Sequence, residues 1–296
     1  MPANTLQARI GPVDQVVERL ENASPLDPVV KAVRRIVNSA LKPQKVRDAL
    51  HGVWFGHPLH PVLTDIPIGV WSAAAILDLV PGTGPAVATL IGTGCASAVP
   101  TAVTGWADWS QLHPQHQRFG LVHEAANGTA LALYSASLVS RARGQKLTGK
   151  ALSYAGLSAM IVGGYLGGHL TFRQGAGANH TADVIDLFPG GWQSLGYLDD
   201  LPDGRPTKLT IGGVDLLVVR RGQHVDVLAN HCSHLSGPLS DGSFSVDEGQ
   251  GCIICPWHGS TFRLADGAVI HGPATSPQLV FETRIAAGEV EIRLPG

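Results

Sequence analysis

Apolar and polar positions change rhythm twice along this chain. Between residues 27 and 51, Val30, Val33, Ile36, Val37, Ala40 and Leu41 recur at helical spacing with Lys31, Arg34 and Arg35 among them, which predicts one basic amphipathic helix. Such a helix lies either on an anionic membrane surface or against its own protein. Four apolar stretches follow, at 62–80, 85–104, 119–140 and 151–170, each near the roughly 20 residues a helix needs to span a bilayer. After Gly175 the runs shorten and become rich in Val, Leu and Ile, punctuated by Asp203-Gly204, Gly212-Gly213, Asp241-Gly242 and Asp266-Gly267. Strands are predicted at 208–211, 214–219, 224–228, 251–254, 279–284 and 290–293.

The pattern predicts two domains, an all-α four-helix transmembrane bundle followed by an all-β antiparallel sandwich. The divisions fall at 1–52 for the amphipathic segment, 53–175 for the membrane domain and 183–296 for the β domain. Short separators at 81–84, 105–118 and 141–150 leave the helices antiparallel. Gly92, Gly94, Gly163, Gly164, Gly167 and Gly168 are placed to let helix backbones approach closely. A soluble bundle of unusually apolar helices is the alternative, kept open by Asp65, Asp78, His123 and Glu124. Residues 1–47 hold no continuous apolar core, so the first membrane helix is expected to direct targeting. The amphipathic segment, Arg118 and Arg173 outweigh the basic loop Arg141, Arg143, Lys146 and Lys150 opposite. Both ends, and the β domain with them, are expected on the cytoplasmic side of an integral membrane protein.

Charge narrows the partners. A net charge of −2 offers no polycationic field for phosphates, which excludes nucleic acid. Of the four cysteines, Cys232, Cys252 and Cys255 cluster with histidines instead of spacing themselves as a disulfide framework. Cys232-Ser233-His234 and Cys255-Pro256-Trp257-His258 place two thiols and two imidazoles in two short loops, a set that suits either zinc or iron. A zinc finger puts both cysteines first and both histidines later on a helix, whereas each loop here carries one Cys followed by one His. Cys252 and Cys95 sit in apolar runs and read as small buried side chains.

Asn230-His231-Cys232-Ser233-His234-Leu235 with Cys255-Pro256-Trp257-His258-Gly259-Ser260-Thr261-Phe262 resembles the two cluster loops of ferredoxin-type Rieske proteins. Gly237-Pro238-Leu239 and Gly272-Pro273-Ala274 extend the likeness over about 186–294. The resemblance implies a 2Fe-2S cluster on Cys232, His234, Cys255 and His258, with Leu235, Trp257, Ser260 and Pro273 around it. Gly237 and Trp257 stand where the respiratory-complex subtype has two bridging cysteines, so that subtype is not expected. Phe262 stands where high-potential relatives have a tyrosine donor, which implies a low or intermediate potential.

Gly56-His57-Pro58-Leu59-His60-Pro61, leading into Asp65, resembles an uncharacterised four-helix membrane family with a Gly-His-Pro-x-His-Pro signature. With antiparallel helices, His57, His60, His113, His116, His123 and His169 fall on one side. His57, His60, Asp65, His123 and His169 are therefore candidates for a haem b or quinone site, the alternative being that the histidines cap helices in the headgroup region. Covalent haem is excluded, since no Cys-x-x-Cys-His occurs. The expected function is membrane-anchored electron transfer between redox donor and acceptor proteins or quinone. A non-enzymatic redox sensor and an electron-supplying component of an oxygenase are the alternatives. The chain is not expected to be the oxygenase itself: Asp108, His113 and His116 lack the spacing for a mononuclear iron site. No complete catalytic site and no oligomeric state can be read from the sequence.

Overall fold

The computed structural model describes residues 12–296, so the opening of the polar N-terminal stretch lies outside the described residues. Eight α-helices precede and lead into ten short strands: α1 (Pro12–Glu21), α2 (Asp27–Ala40), α3 (Gln44–His51), α4 (Leu59–Leu77), α5 (Gly84–Trp109), α6 (Pro114–Ala142), α7 (Lys146–Phe172) and the single turn α8 (Val184–Leu187). The amphipathic stretch is two helices, not one. Pro43 sits at the N-cap of α3 in extended conformation (φ −66, ψ 127). A proline has no N–H for the helical ladder and disfavours helix at the residue before it, so the periodicity runs on while the helix stops.

The chain divides into two compact units. Among the described residues, 12–40 and 63–174 form one, and 41–62 and 175–296 form the other. The boundary at 62/63 falls inside α4.

In the helical unit, aromatic rings lie on glycines. Trp71 of α4 stacks on Tyr134 of α6 with centroids 4.3 Å apart and planes 13° from parallel. A Cβ at Gly94 of α5 would stand 2.2 Å from Trp71 Nε1, and one at Gly156 of α7 would stand 2.9 Å from the Tyr134 ring. Val87, Ile91 and Ala130 close this core. Gly94, Gly163 and Gly167 host neighbouring side chains as the small-residue pattern predicts, whereas Gly92 and Gly164 meet nothing and Gly168 meets only Phe172 of its own helix. Arg141 of α6 forms a two-pronged ion pair with Asp78, and Lys150 Nζ donates to the Asp78 carbonyl at 2.6 Å. The basic loop is thus fastened to the end of α4.

Two described helices, α4 with 19 residues and α5 with 26, are long and apolar enough to cross a membrane, in place of the four expected. α6 and α7 have the length, but Gln117, Arg118, His123, Glu124 and Asn127 dilute the first, and repeated Gly and Ser dilute the second. Those polar and small side chains serve helix–helix contacts: Asn127 packs on Gly163, and Ser137 and Ser153 hydroxyls meet at 2.8 Å.

The β unit holds three antiparallel sheets. β1 (Gln193–Tyr197), β10 (Glu289–Arg293) and β9 (Glu282–Ala286) form the first, in that order. β2 (Pro206–Ile211), β3 (Val214–Arg221) and β4 (His224–Ala229) form the second, with Leu217 opposite Leu228. β5 (Ser243–Asp247), β6 (Gln250–Ile254), β7 (Thr261–Arg263) and β8 (Val269–His271) form the third. β3 is buried on both faces. With side chains alternating along a strand, Leu216 and Val218 enter one core with Val227, Phe281 and Ile292, while Leu217 and Val219 enter a second with Ile253, Phe262 and Leu264.

Four strands escape the hydropathy pattern, namely β1, β5, β7 and β8, because they are short or polar on one face. The strand expected at 279–284 begins later. Val280 makes only an isolated bridge with Leu228, and regular pairing starts at Glu282.

Candidate metal centre

The second core of the β unit contains Cys232 and Cys255 among its apolar side chains. Cys232 follows β4 and Cys255 follows β6, so strands of two different sheets deliver two loops to one core.

Each loop is a tight turn closed on its own backbone. Cys232 N donates to Gly237 O at 2.8 Å and Ser236 N returns to Cys232 O at 2.8 Å. Cys255 N donates to Ser260 O at 2.8 Å and Gly259 N to Cys255 O at 3.1 Å. These turns point backbone N–H groups at the sulfurs, from His234 and Leu235 onto Cys232 and from Trp257 and His258 onto Cys255. The two thiols hydrogen-bond each other. The Cys232 thiol donates to Cys255, which together with the N–H groups draws the Cys255 thiol down to about 7, while the same bond and burial push Cys232 up. Cys255 is the first of the pair to become a thiolate, the form that binds metal.

The imidazoles form a second pair. His234 and His258 stand edge to face with centroids 5.1 Å apart and planes at 87°. Among the described residues no group of three or more His, Cys, Asp or Glu converges on one ion. Two thiols together and two imidazoles together match a group of two irons with two ligands each. The donor chemistry of the four residues therefore fits a 2Fe-2S cluster better than one tetrahedral zinc.

The residues expected around the centre differ in burial. Leu235 is buried at 5% exposure, whereas Trp257 is half exposed at 48%. Trp257 packs on Gly237: a Cβ at 237 would lie 2.8 Å from Cys255 Sγ and 3.1 Å from the indole. Positions 237 and 257 are thus neighbours across the two loops, as the resemblance implied. All four cysteines are free thiols. Ser260 is fully buried and its Oγ accepts from Ala274 N at 3.0 Å, a bond that does not use its hydroxyl hydrogen. Pro273 joins Gly272 in the loop that leads to Ala274. Phe262 is fully buried and brings no hydroxyl.

Sequence reading missed the residues that hold the first loop. Gln278, 2% exposed, accepts from Ser233 N at 3.1 Å and donates to Ala229 O at 2.7 Å and His231 O at 2.6 Å. Asn230 Oδ1 accepts from Ser240 N at 2.8 Å. A single polar residue between Pro277 and Leu279 was the only signal for Gln278, and nothing local tied it to position 233. His271, which the pattern left without a role, is bonded to Asp48 at 2.9 Å.

His123 and His169 of the helical unit are engaged in packing. His57 and His60 belong to the β unit, and Asp65, His123 and His169 to the helical unit. His123 Nδ1 donates to the Gly163 carbonyl at 2.8 Å, and its ring fills the space above Gly167. His169 Nε2 meets Glu21 at 2.7 Å and its ring lies 4.6 Å from Phe119. Asp65 is on an exposed face of α4. The haem or quinone site expected on these residues gains no support: His123 Nδ1 is engaged by the Gly163 carbonyl and His169 Nε2 by Glu21.

Comparison with known proteins agrees with this division. The profile of the Rieske 2Fe-2S domain matches residues 191–286, and that of a predicted membrane protein family (DUF2231) matches residues 56–180. The anthranilate 1,2-dioxygenase ferredoxin subunit of Burkholderia cepacia is 30% identical over 103 residues, 35% of this chain and 92% of that protein. Apoptosis-inducing factor 3 of Mus musculus is 28% identical over 97 residues, 33% of this chain but only 15% of that longer protein. Among solved structures, the ferredoxin of carbazole 1,9a-dioxygenase from Nocardioides aromaticivorans IC177 is 27% identical, covering 36% of this chain and all of its own, with a TM-score of 0.33. The chain belongs to the ferredoxin-like Rieske 2Fe-2S proteins, its Rieske domain following a helical region of the predicted membrane protein family.

Proposed function

We propose that the protein is a membrane-anchored one-electron carrier whose Rieske cluster is held by Cys232 and Cys255 on one iron and His234 and His258 on the other. The observation that carries this reading is the sorting of the four side chains into adjacent thiols and adjacent imidazoles on two loops of one core. When bound, the cluster supplies reversible one-electron chemistry at a potential raised by its neutral imidazoles. The chain's own part is to exclude water with Leu235 and the buried core, to hold the thiolates with backbone N–H groups, and to offer the Ser260 hydroxyl. Buried Phe262 adds no hydrogen bond, which favours a low or intermediate potential.

The acceptor we favour is an oxygenase component or another soluble redox partner, because the B. cepacia relative is the ferredoxin subunit of a dioxygenase. Anchoring would run through α4 and α5, with α6 and α7 completing an antiparallel four-helix membrane domain. Exposed Ile76, Val99, Ile161 and Val162 suit lipid contact. The excess of Lys and Arg beside α1 to α3 favours a cytoplasmic Rieske domain.

Low-temperature electron paramagnetic resonance of dithionite-reduced membranes tests the centre. A Rieske signal that disappears in Cys255→Ser is the expected result. Iron-replete protein with no Rieske signal would overturn the assignment.

A further inference from the structure

The proline loop at 272–274 is gripped by a segment from far earlier in the chain. α3 and the turn Val53–Phe55 group with the β unit. Asp48, inside α3, divides its carboxylate: Oδ1 accepts the Gly272 backbone N–H at 3.0 Å and Oδ2 accepts His271 Nδ1 at 2.9 Å. Gln44 Nε2 donates to the same Oδ1 at 2.8 Å, fixing the carboxylate from its own helix. Gly272 lies against the same segment. A Cβ there would stand 3.0 Å from Val53 Cγ2 and 3.4 Å from His51 Cβ, and His51 is 2% exposed.

The contact continues toward the cysteines. Two residues after Gly272, Ala274 N donates to Ser260 Oγ at 3.0 Å, and the Ser260 carbonyl accepts from Cys255 N at 2.8 Å. A continuous path of short bonds and backbone thus leads from Asp48 through 272–274 to the loop of Cys255. The Rieske profile covers only 191–286, so Asp48 and its segment lie outside the stretch shared with small ferredoxins.

We propose that Asp48 is a positioning residue for the metal centre. It holds the proline loop in register with Ser260 by a charge-assisted pair of hydrogen bonds, so that α3 is a working part of the Rieske domain. The same carboxylate adds a fixed negative charge near the loop, which disfavours addition of an electron. The inference rests on the reading that Cys255 and its partners hold the cluster.

The full chain, purified in detergent, is compared with Asp48→Ala and Asp48→Asn by three readouts: amide hydrogen exchange over 269–274, the g-values of the reduced centre, and its midpoint potential. In Asp48→Ala, exchange over this stretch is expected to quicken about tenfold or more, with altered g-values and a raised potential. Asparagine keeps an acceptor for Gly272 N without the charge. It should restore protection and g-values while the potential stays raised. Asp48→Ala with wild-type exchange, g-values and potential overturns the positioning role. A wild-type chain that shows the exchange difference but no Rieske signal overturns the cluster reading instead, and with it any role for Asp48 at a centre.

Discussion

Histidines in the helical unit and histidines in the β unit look equally promising as sequence, and the fold uses them in opposite ways. In the β unit, His234 and His258 sit on tight turns whose backbone bonds are already closed, so the imidazoles are presented toward each other. In the helical unit, His123 and His169 lie along α6 and α7, where the nearest neighbours are a bare glycine backbone and a carboxylate. A ring on a helix within a bundle must satisfy its polar atoms against whatever packs on it, since unpaired buried nitrogens are costly. A ring on a loop whose backbone is satisfied elsewhere can be turned toward another ring, as His234 and His258 are. What separates a site from a core is therefore who satisfies the surrounding backbone, more than the residue type.

Five substitutions would break or sharpen this contrast. The largest effect is expected from Cys255→Ser or His258→Ala, which should abolish the reduced-state resonance signal and the bound iron and sulfide together. If either variant keeps a Rieske spectrum, the ligand assignment fails. Next, Trp71→Ala removes the ring stacked on Tyr134 and lying on Gly94, and should cost about 3–5 kcal/mol, read as a lowered Tm in detergent with the cluster spectrum unchanged.

Gln278→Ala leaves Ser233 N and the carbonyls of Ala229 and His231 without their partner. A loss of about 1–3 kcal/mol is expected, seen as release of the cluster at lower denaturant concentration. Unlike Trp71→Ala, this variant should alter the g-values, because it acts on the Cys232 loop. The smallest effect should come from His123→Ala, which removes one hydrogen bond to Gly163 and is expected to cost about 1 kcal/mol. Its rate of cluster oxidation by an added acceptor should match the wild type. A large fall in that rate, or a Soret band in wild-type protein that vanishes in this variant, would show that the helical histidines carry electrons after all.

Parts of this protein are written in local pattern. The Cys-x-His and Cys-x-x-His spacings name four ligand candidates because each pair spans one turn, and turns are short-range objects. The four apolar stretches name the four long helices, since residues three and four apart share a helix face. Longer relationships were not available in that way. Gln278 reaches Ser233, Asp48 reaches Gly272, and Gly156 accepts the ring of Tyr134, each across a separation no periodicity encodes. The count of membrane spans also changed, because polar residues such as Arg118, Glu124 and Asn127 dilute α6 and repeated Gly and Ser dilute α7.

The sequence by itself determined the ferredoxin-like metal loops and the helical region before them. Only the tertiary structure decided that residues 41–62 belong with the β unit, that the helical histidines serve packing, and which distant side chains hold the cysteine loops. Covalent spacing limits what a short loop can bind. Closing that loop needs partners from elsewhere in the chain, and only folding brings them within hydrogen-bonding distance.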